Sequence, residues 1–149
     1  MDAEARLDGF IIRFSDKVAG EARAAVARMR QILPGATVLV YDNYNALAIA
    51  FGASEKASDI VFSVAVYPRW ASLFFARGAG LDDAQGLLKG EGSTVRHIVI
   101  DDLALFDDPR VRDLMDRAMV DVPFLKDPTP PGRVVIKSVS AKQRPRRPA

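Results

Sequence analysis

Ala46-Leu47-Ala48-Ile49-Ala50-Phe51, Asp59-Ile60-Val61-Phe62-Ser63-Val64-Ala65-Val66-Tyr67 and Trp70-Ala71-Ser72-Leu73-Phe74-Phe75-Ala76 are three apolar runs without a helical repeat. In the second, Ile60, Phe62, Val64 and Val66 share one face, and Val61, Ser63, Ala65 and Tyr67 the other. In the third, Leu73 and Phe75 oppose Ser72, Phe74 and Ala76. This is the period of two of a pleated strand. The joints are short, 52–58 and Pro68-Arg69, so the runs read as an antiparallel meander.

Upstream, the period changes. Leu7, Phe10, Ile11 and Phe14 follow the i, i+3, i+4, i+7 rule and predict a helix over 4–14. Ser15 suits an N-cap, and Val18, Ala22, Ala25, Val26, Met29, Ile32 and Leu33 form the apolar stripe of a second helix that Pro34-Gly35 stops. Thr37-Val38-Leu39-Val40-Tyr41 reads either as a strand, from its β-branched residues, or as a short helix following Pro34. Downstream, 78–92 is a long glycine-containing connection. Residues 94–101 alternate as a fourth strand, with Val95, His97 and Val99 on one face. Asp107-Asp108-Pro109 opens a helix with the apolar face Val111, Leu114, Met115, Ala118 and Met119. Helices before and after a run of antiparallel strands make the fold class α+β, with the helices packed on the sheet.

The 149 residues contain no cysteine, which excludes disulfides, thiolate metal sites and cysteine nucleophiles and fits a reducing, cytoplasmic setting. No apolar run approaches the ~20 residues of a membrane span, and the polar start at Met1-Asp2-Ala3-Glu4 is unlike a signal peptide. Six of the 21 basic residues (Arg133, Lys137, Lys142, Arg144, Arg146 and Arg147) fall after Asp127, where there is no acid. The first 127 residues therefore hold 15 basic against 19 acidic side chains, a net charge of −4. Composition divides the chain into an α+β domain over 1–122 and a Pro-rich basic tail over 123–149. Gly132-Arg133-Val134-Val135-Ile136-Lys137 is at most an isolated strand there, and 142–149 reads as disordered.

Candidate chemistry is sparse. His97 is the only histidine. With Val95 and Val99 on its face it reads as a half-buried strand residue, and an enzyme working through His97 and a carboxylate is an alternative. Asp82-Asp83, Asp101-Asp102 and Asp107-Asp108 read as loop and helix-start residues. Without Cys or a second His, no metal site, cofactor or catalytic residue is assigned, and tight zinc or iron binding is not expected. Gly78-x-Gly80 and Gly90-x-Gly92 lack the dinucleotide fingerprint, although Lys89 and Arg96 beside the second pair make a candidate anion site. Tyr67-Pro68-Arg69-Trp70 gathers the only Trp with Arg and Tyr, the residue types that dominate binding hot spots. With Tyr41 and Tyr44 it forms the candidate site for a small molecule or protein partner. Lys142, Arg144, Arg146 and Arg147 are candidate contacts for nucleic acid or an anionic surface, but the tail has no aromatic residue for base stacking.

In this order, Tyr41-Asp42-Asn43-Tyr44-Asn45-Ala46-Leu47, Val66-Tyr67-Pro68-Arg69-Trp70, Leu73-Phe74-Phe75, Gly78-Ala79-Gly80-Leu81, Leu87-Leu88-Lys89-Gly90-Glu91-Gly92 and Val95-Arg96-His97-Ile98 resemble the YdhG-like domain family, small bacterial proteins of unknown function. The resemblance spans roughly 5–120. It implies helices packed on an antiparallel sheet, and through some relatives it implies a frataxin-like iron chaperone as an alternative function. The chain departs from a frataxin-like pattern in its helices. The first has only Glu4 and Asp8 as acids, and the second carries more Arg than Asp or Glu, so no acidic ridge for iron is visible. The first expectation is thus a small non-enzymatic binding domain.

Overall fold

Helix α1 (Ala3–Ile11) starts at Asp2, whose carboxylate accepts the Ala5 N–H at 2.8 Å, and buries Leu7 and Ile11. The computed structural model, which describes residues 1–148, ends this helix before Phe14, where the periodicity placed its end. Ser15 is the reason. It adopts an extended backbone and its hydroxyl accepts the Val18 N–H at 3.3 Å, so 12–14 must form the turn into α2 (Asp16–Ile32). Ser15→Ala is expected to lower stability by about 1 kcal/mol, read as a lower Tm with unchanged helix content; an unchanged Tm would mean that water replaces the cap.

The α2 stripe is buried as its period predicts. Val18, Ala22, Ala25, Val26, Met29 and Leu33 are all in the core, and Ile32 packs half-buried at its margin. The ambiguous 37–41 segment is strand β1 (Thr37–Asp42). β2 (Leu47–Gly52), β3 (Ile60–Val66), β4 (Ala71–Phe75) and β5 (Arg96–Val99) follow, and β6 (Val134–Val139) completes a six-stranded sheet in the order β5-β4-β3-β2-β1-β6. All neighbours are antiparallel except β1 and β6, which are parallel. The faces alternate as read. Val38, Val40, Leu47, Ile49, Phe51, Phe62, Val64, Val66, Leu73 and Phe75 turn toward α1 and α2, each contributing about 1.5–3 kcal/mol of burial. Helix α3 (Pro109–Ala118) is capped by Asp108, which accepts the Arg110 N–H at 2.9 Å and grips the Arg110 guanidinium. That guanidinium holds the Asp108 carboxyl down at about 2. Asp107, in the turn that precedes α3, is likewise held below the usual range by Arg28 of α2, which ties that turn to α2. The fold is α+β, with helices on one face of the sheet.

The C-terminal segment departs most from expectation. The stretch 123–133 returns over the Pro34-Gly35 corner. Gly35 N–H donates to Leu125 O, Gly132 N–H donates to Pro34 O, and Val38 N–H donates to Arg133 O. A Cβ on Gly132 would lie 1.6 Å from Ala36 O, so only glycine lets the two backbones meet so closely. β6 then pairs along β1 and is not an isolated strand. Pairing satisfies backbone groups that would leave β1 an open edge. Beyond β6 the tail segment 140–148, of which 142–148 reads from sequence as disordered, has no regular secondary structure but contacts the end of β1. Ser140 N–H donates to Asp42 O and Arg144 N–H to Tyr44 O, tying the segment to the end of β1. Ala149, the last residue of that tail, lies outside the described residues.

Candidate functional site

Two tight hairpins stand at the same end of the sheet. Asn43 and Ala46 close the β1–β2 turn, with Asn43 N–H donating to Ala46 O at 3.0 Å. Tyr67 and Trp70 close the β3–β4 turn, with Tyr67 N–H donating to Trp70 O at 2.8 Å. Pro68 follows Tyr67 and pre-sets the turn. Because Val66 faces Ala71 in the ladder, Tyr67 stands opposite Trp70, and the rings stack with centroids 4.6 Å apart and planes at 17°. Tyr67 is half-buried, and burial raises the pKa of its phenol. Trp70 remains 42% exposed, and Arg69 is exposed beside it.

The parallel pairing of β6 with β1 makes the chain leave β6 at this same end. Residues 144–148 therefore come alongside the β3–β4 hairpin. Together Tyr67, Pro68, Arg69, Trp70, Asn45, Arg144, Pro145, Arg147 and Pro148 line an open groove of about 740 Å³. That volume lies within the range of ligand pockets. No acidic side chain lines it. Among the described residues, Arg69, Arg144 and Arg147 form no ion pair. The Arg144 guanidinium lies 5.6 Å from the Tyr44 ring centroid, and Arg147 Nε donates to the Arg13 carbonyl at 3.2 Å. The groove thus pairs an exposed aromatic platform with three cations, and it can take up an anion that carries a flat apolar part.

Arg146 does not belong to this surface. Read from sequence as a contact for nucleic acid or an anionic surface, it is 4% exposed. One terminal nitrogen donates to Asp42 Oδ1 at 2.8 Å and to Asn43 O at 2.5 Å, and the guanidinium lies over the Phe14 ring. Gln143 also donates to Asp42, at 2.8 Å, and Arg13 approaches it at 3.5 Å. A buried carboxylate needs such partners, so it draws the arginine inward, and the pair clamps the segment that carries Arg144 and Arg147. Asn45, Pro145, Pro148 and the Asp42–Arg146 pair were missed in sequence reading. No local pattern marks them, because each acts through a residue distant in the chain.

The other candidates are dispersed. Tyr41 lies on the sheet face away from the helices, with its hydroxyl buried and without a hydrogen-bond partner among the described residues, and does not line the groove. Tyr44 is exposed and reaches the site through Arg144. Lys142 is exposed but lies outside the groove lining. Lys89 donates to Gly86 O and Arg96 to Val95 O and Gly92 O, so the proposed anion site spends its cations on its own loop. His97 is half-buried and stacked on Phe74 at 5.1 Å, without a hydrogen bond to an Asp among the described residues. Asp83 holds the Leu87 and Leu88 N–H groups and Asp102 holds that of Ala104. Among the described residues no three His, Asp or Glu side chains converge as a metal site, and no helix is long and apolar enough to cross a membrane. No protein-family model, curated protein or solved structure matches the chain.

Proposed function

We propose that this protein is a non-enzymatic binding domain whose ligand is an organic anion with a flat apolar part, held in the groove between the β3–β4 hairpin and the C-terminal segment. The observation that carries this is the meeting of the Tyr67–Trp70 stack with the guanidiniums of Arg69, Arg144 and Arg147, which form no ion pair among the described residues. An exposed Trp in a groove offers contact area at small entropic cost, and planar guanidiniums select carboxylate or phosphate. The same proposal keeps the YdhG-like resemblance, with a bacterial origin and a cytoplasmic location. Two of the motif segments quoted for that resemblance, 41–47 and 66–70, are the two hairpins at the groove end. The iron-chaperone and His97-enzyme alternatives have no comparable convergence of side chains in their support.

Trp70 is the only tryptophan, so its fluorescence reports on this groove alone. Titration with aromatic carboxylates and aryl phosphates is expected to give saturable quenching. Inorganic phosphate and uncharged aromatics should give weaker responses, and Arg69→Ala should weaken binding about tenfold, as the loss of one charge-assisted contact does. If no aromatic anion perturbs Trp70, the groove is only a crease between two turns.

A further inference from the structure

Two flat platforms stand at this end of the sheet. Trp70, stacked on Tyr67, lines the groove, and Tyr44 on the adjacent hairpin, 46% exposed, lies outside the lining and is linked to it by Arg144. Each has arginine beside it: Arg69 follows Pro68 in the Trp70 turn, and Arg144 lies over the Tyr44 ring. Arg147 adds a third cation at the groove wall. A ligand with one ring and one charge would use a single platform. A chain of alternating flat rings and phosphates would use both, along with all three cations. Read alone, the basic segment lacks an aromatic residue for stacking; the fold supplies it from hairpins remote in sequence. Of the six basic residues that follow Asp127, Arg144 and Arg147 line this groove, beside Arg69 of the hairpin.

Resting on the binding reading above, we propose that this groove binds single-stranded nucleic acid, with unpaired bases stacked on Trp70 and Tyr44 and phosphates on Arg69, Arg144 and Arg147. Stacking requires a base face, which a duplex withholds inside its own stack, so single strands are preferred. Every base has such a face, so sequence preference is weak.

The test is fluorescence anisotropy of the full chain with a fluorescein-labelled oligothymidylate of about 12 nucleotides, within the site sizes known for single-strand binders. Its matching duplex and thymidine monophosphate serve as competitors. Affinity should fall with salt at a slope near −2 on logarithmic axes, about −0.7 for each of three phosphates. Arg69→Gln, Arg144→Gln and Arg147→Gln should each flatten the slope by about 0.7. Trp70→Leu should weaken binding between roughly five- and a hundredfold while leaving the slope unchanged, and Trp70→Phe should restore most of the loss. Because Trp70 is exposed, these variants test the stack without disturbing the core. Equal affinity for duplex, competition by the mononucleotide as strong as by the strand, or an oligonucleotide affinity insensitive to Trp70→Leu would each overturn the proposal. If no oligonucleotide binds but aryl phosphates still quench Trp70, the strand proposal fails and the groove reading stands; if neither acts, both fail.

Discussion

Arg146→Met is expected to destabilise the protein by about 3–5 kcal/mol, the cost of leaving one member of a buried ion pair alone. Both side chains of the Asp42–Arg146 pair are 2% exposed, and Asp42 would keep only Gln143 and the more distant, half-exposed Arg13 as partners. Urea unfolding would show this as a large drop in midpoint with little change in slope. The double variant Asp42→Asn, Arg146→Met should recover part of the loss, because the unpaired buried charge, rather than the lost attraction, is the main penalty. A midpoint for Arg146→Met within about 0.5 kcal/mol of the parent, the range of ordinary surface substitutions, would show that the segment is held by other contacts. Function is tied to the same clamp. Arg146 lies between Arg144 and Arg147 in the chain, so releasing it withdraws two of the three groove cations. Ligand binding should therefore fall in this variant even below its unfolding midpoint, whereas Lys142→Ala, outside the groove lining, should leave binding and stability within about 0.5 kcal/mol of the parent.

Met29→Asp is expected to cost about 4 kcal/mol or more and, in a domain of ordinary stability, to leave little folded protein. Met29 is fully buried on the face of α2 that packs on β3 and β4. The substitution removes a large apolar side chain and puts a carboxyl among the hydrocarbon of the core. Met29→Leu keeps the volume and should cost less than about 1.5 kcal/mol. Circular dichroism melts of the two variants separate the charge from the volume. A Met29→Asp protein melting with the parent would mean that α2 does not cover the sheet.

The helices and central strands were legible because their signals are local. The α2 stripe from Val18 to Leu33, the alternation along β3 and β4, and the Asp108-Pro109 start of α3 each report a burial pattern within a few residues of chain. The end of α1 was misplaced for a nearby reason: Phe14 fits the helical period, but the Ser15 cap takes the backbone out of it. Of the candidate site, Tyr67, Arg69 and Trp70 were legible as a hairpin cluster, because Pro68 and the flanking apolar runs mark the turn. Tyr41 was grouped with them by residue type alone, and its place on the sheet separates it from the groove.

By itself, then, the sequence determined the α+β class, the core face of each main element and the aromatic hairpin. Tertiary structure alone decided the fate of the basic C-terminal segment. Nothing within 123–148 says that β6 will lie parallel beside β1, that Gly132 will pass against Ala36, or that Arg146 will meet an aspartate 104 positions earlier. Pro, Arg and Lys in a short stretch have the composition of solvated chain, because their local free energy favours water. The balance shifts only when an open strand edge and a buried carboxylate from the other end of the chain supply partners. The parallel direction of that pairing then carries Arg144 and Arg147 to Trp70, and so forms the groove.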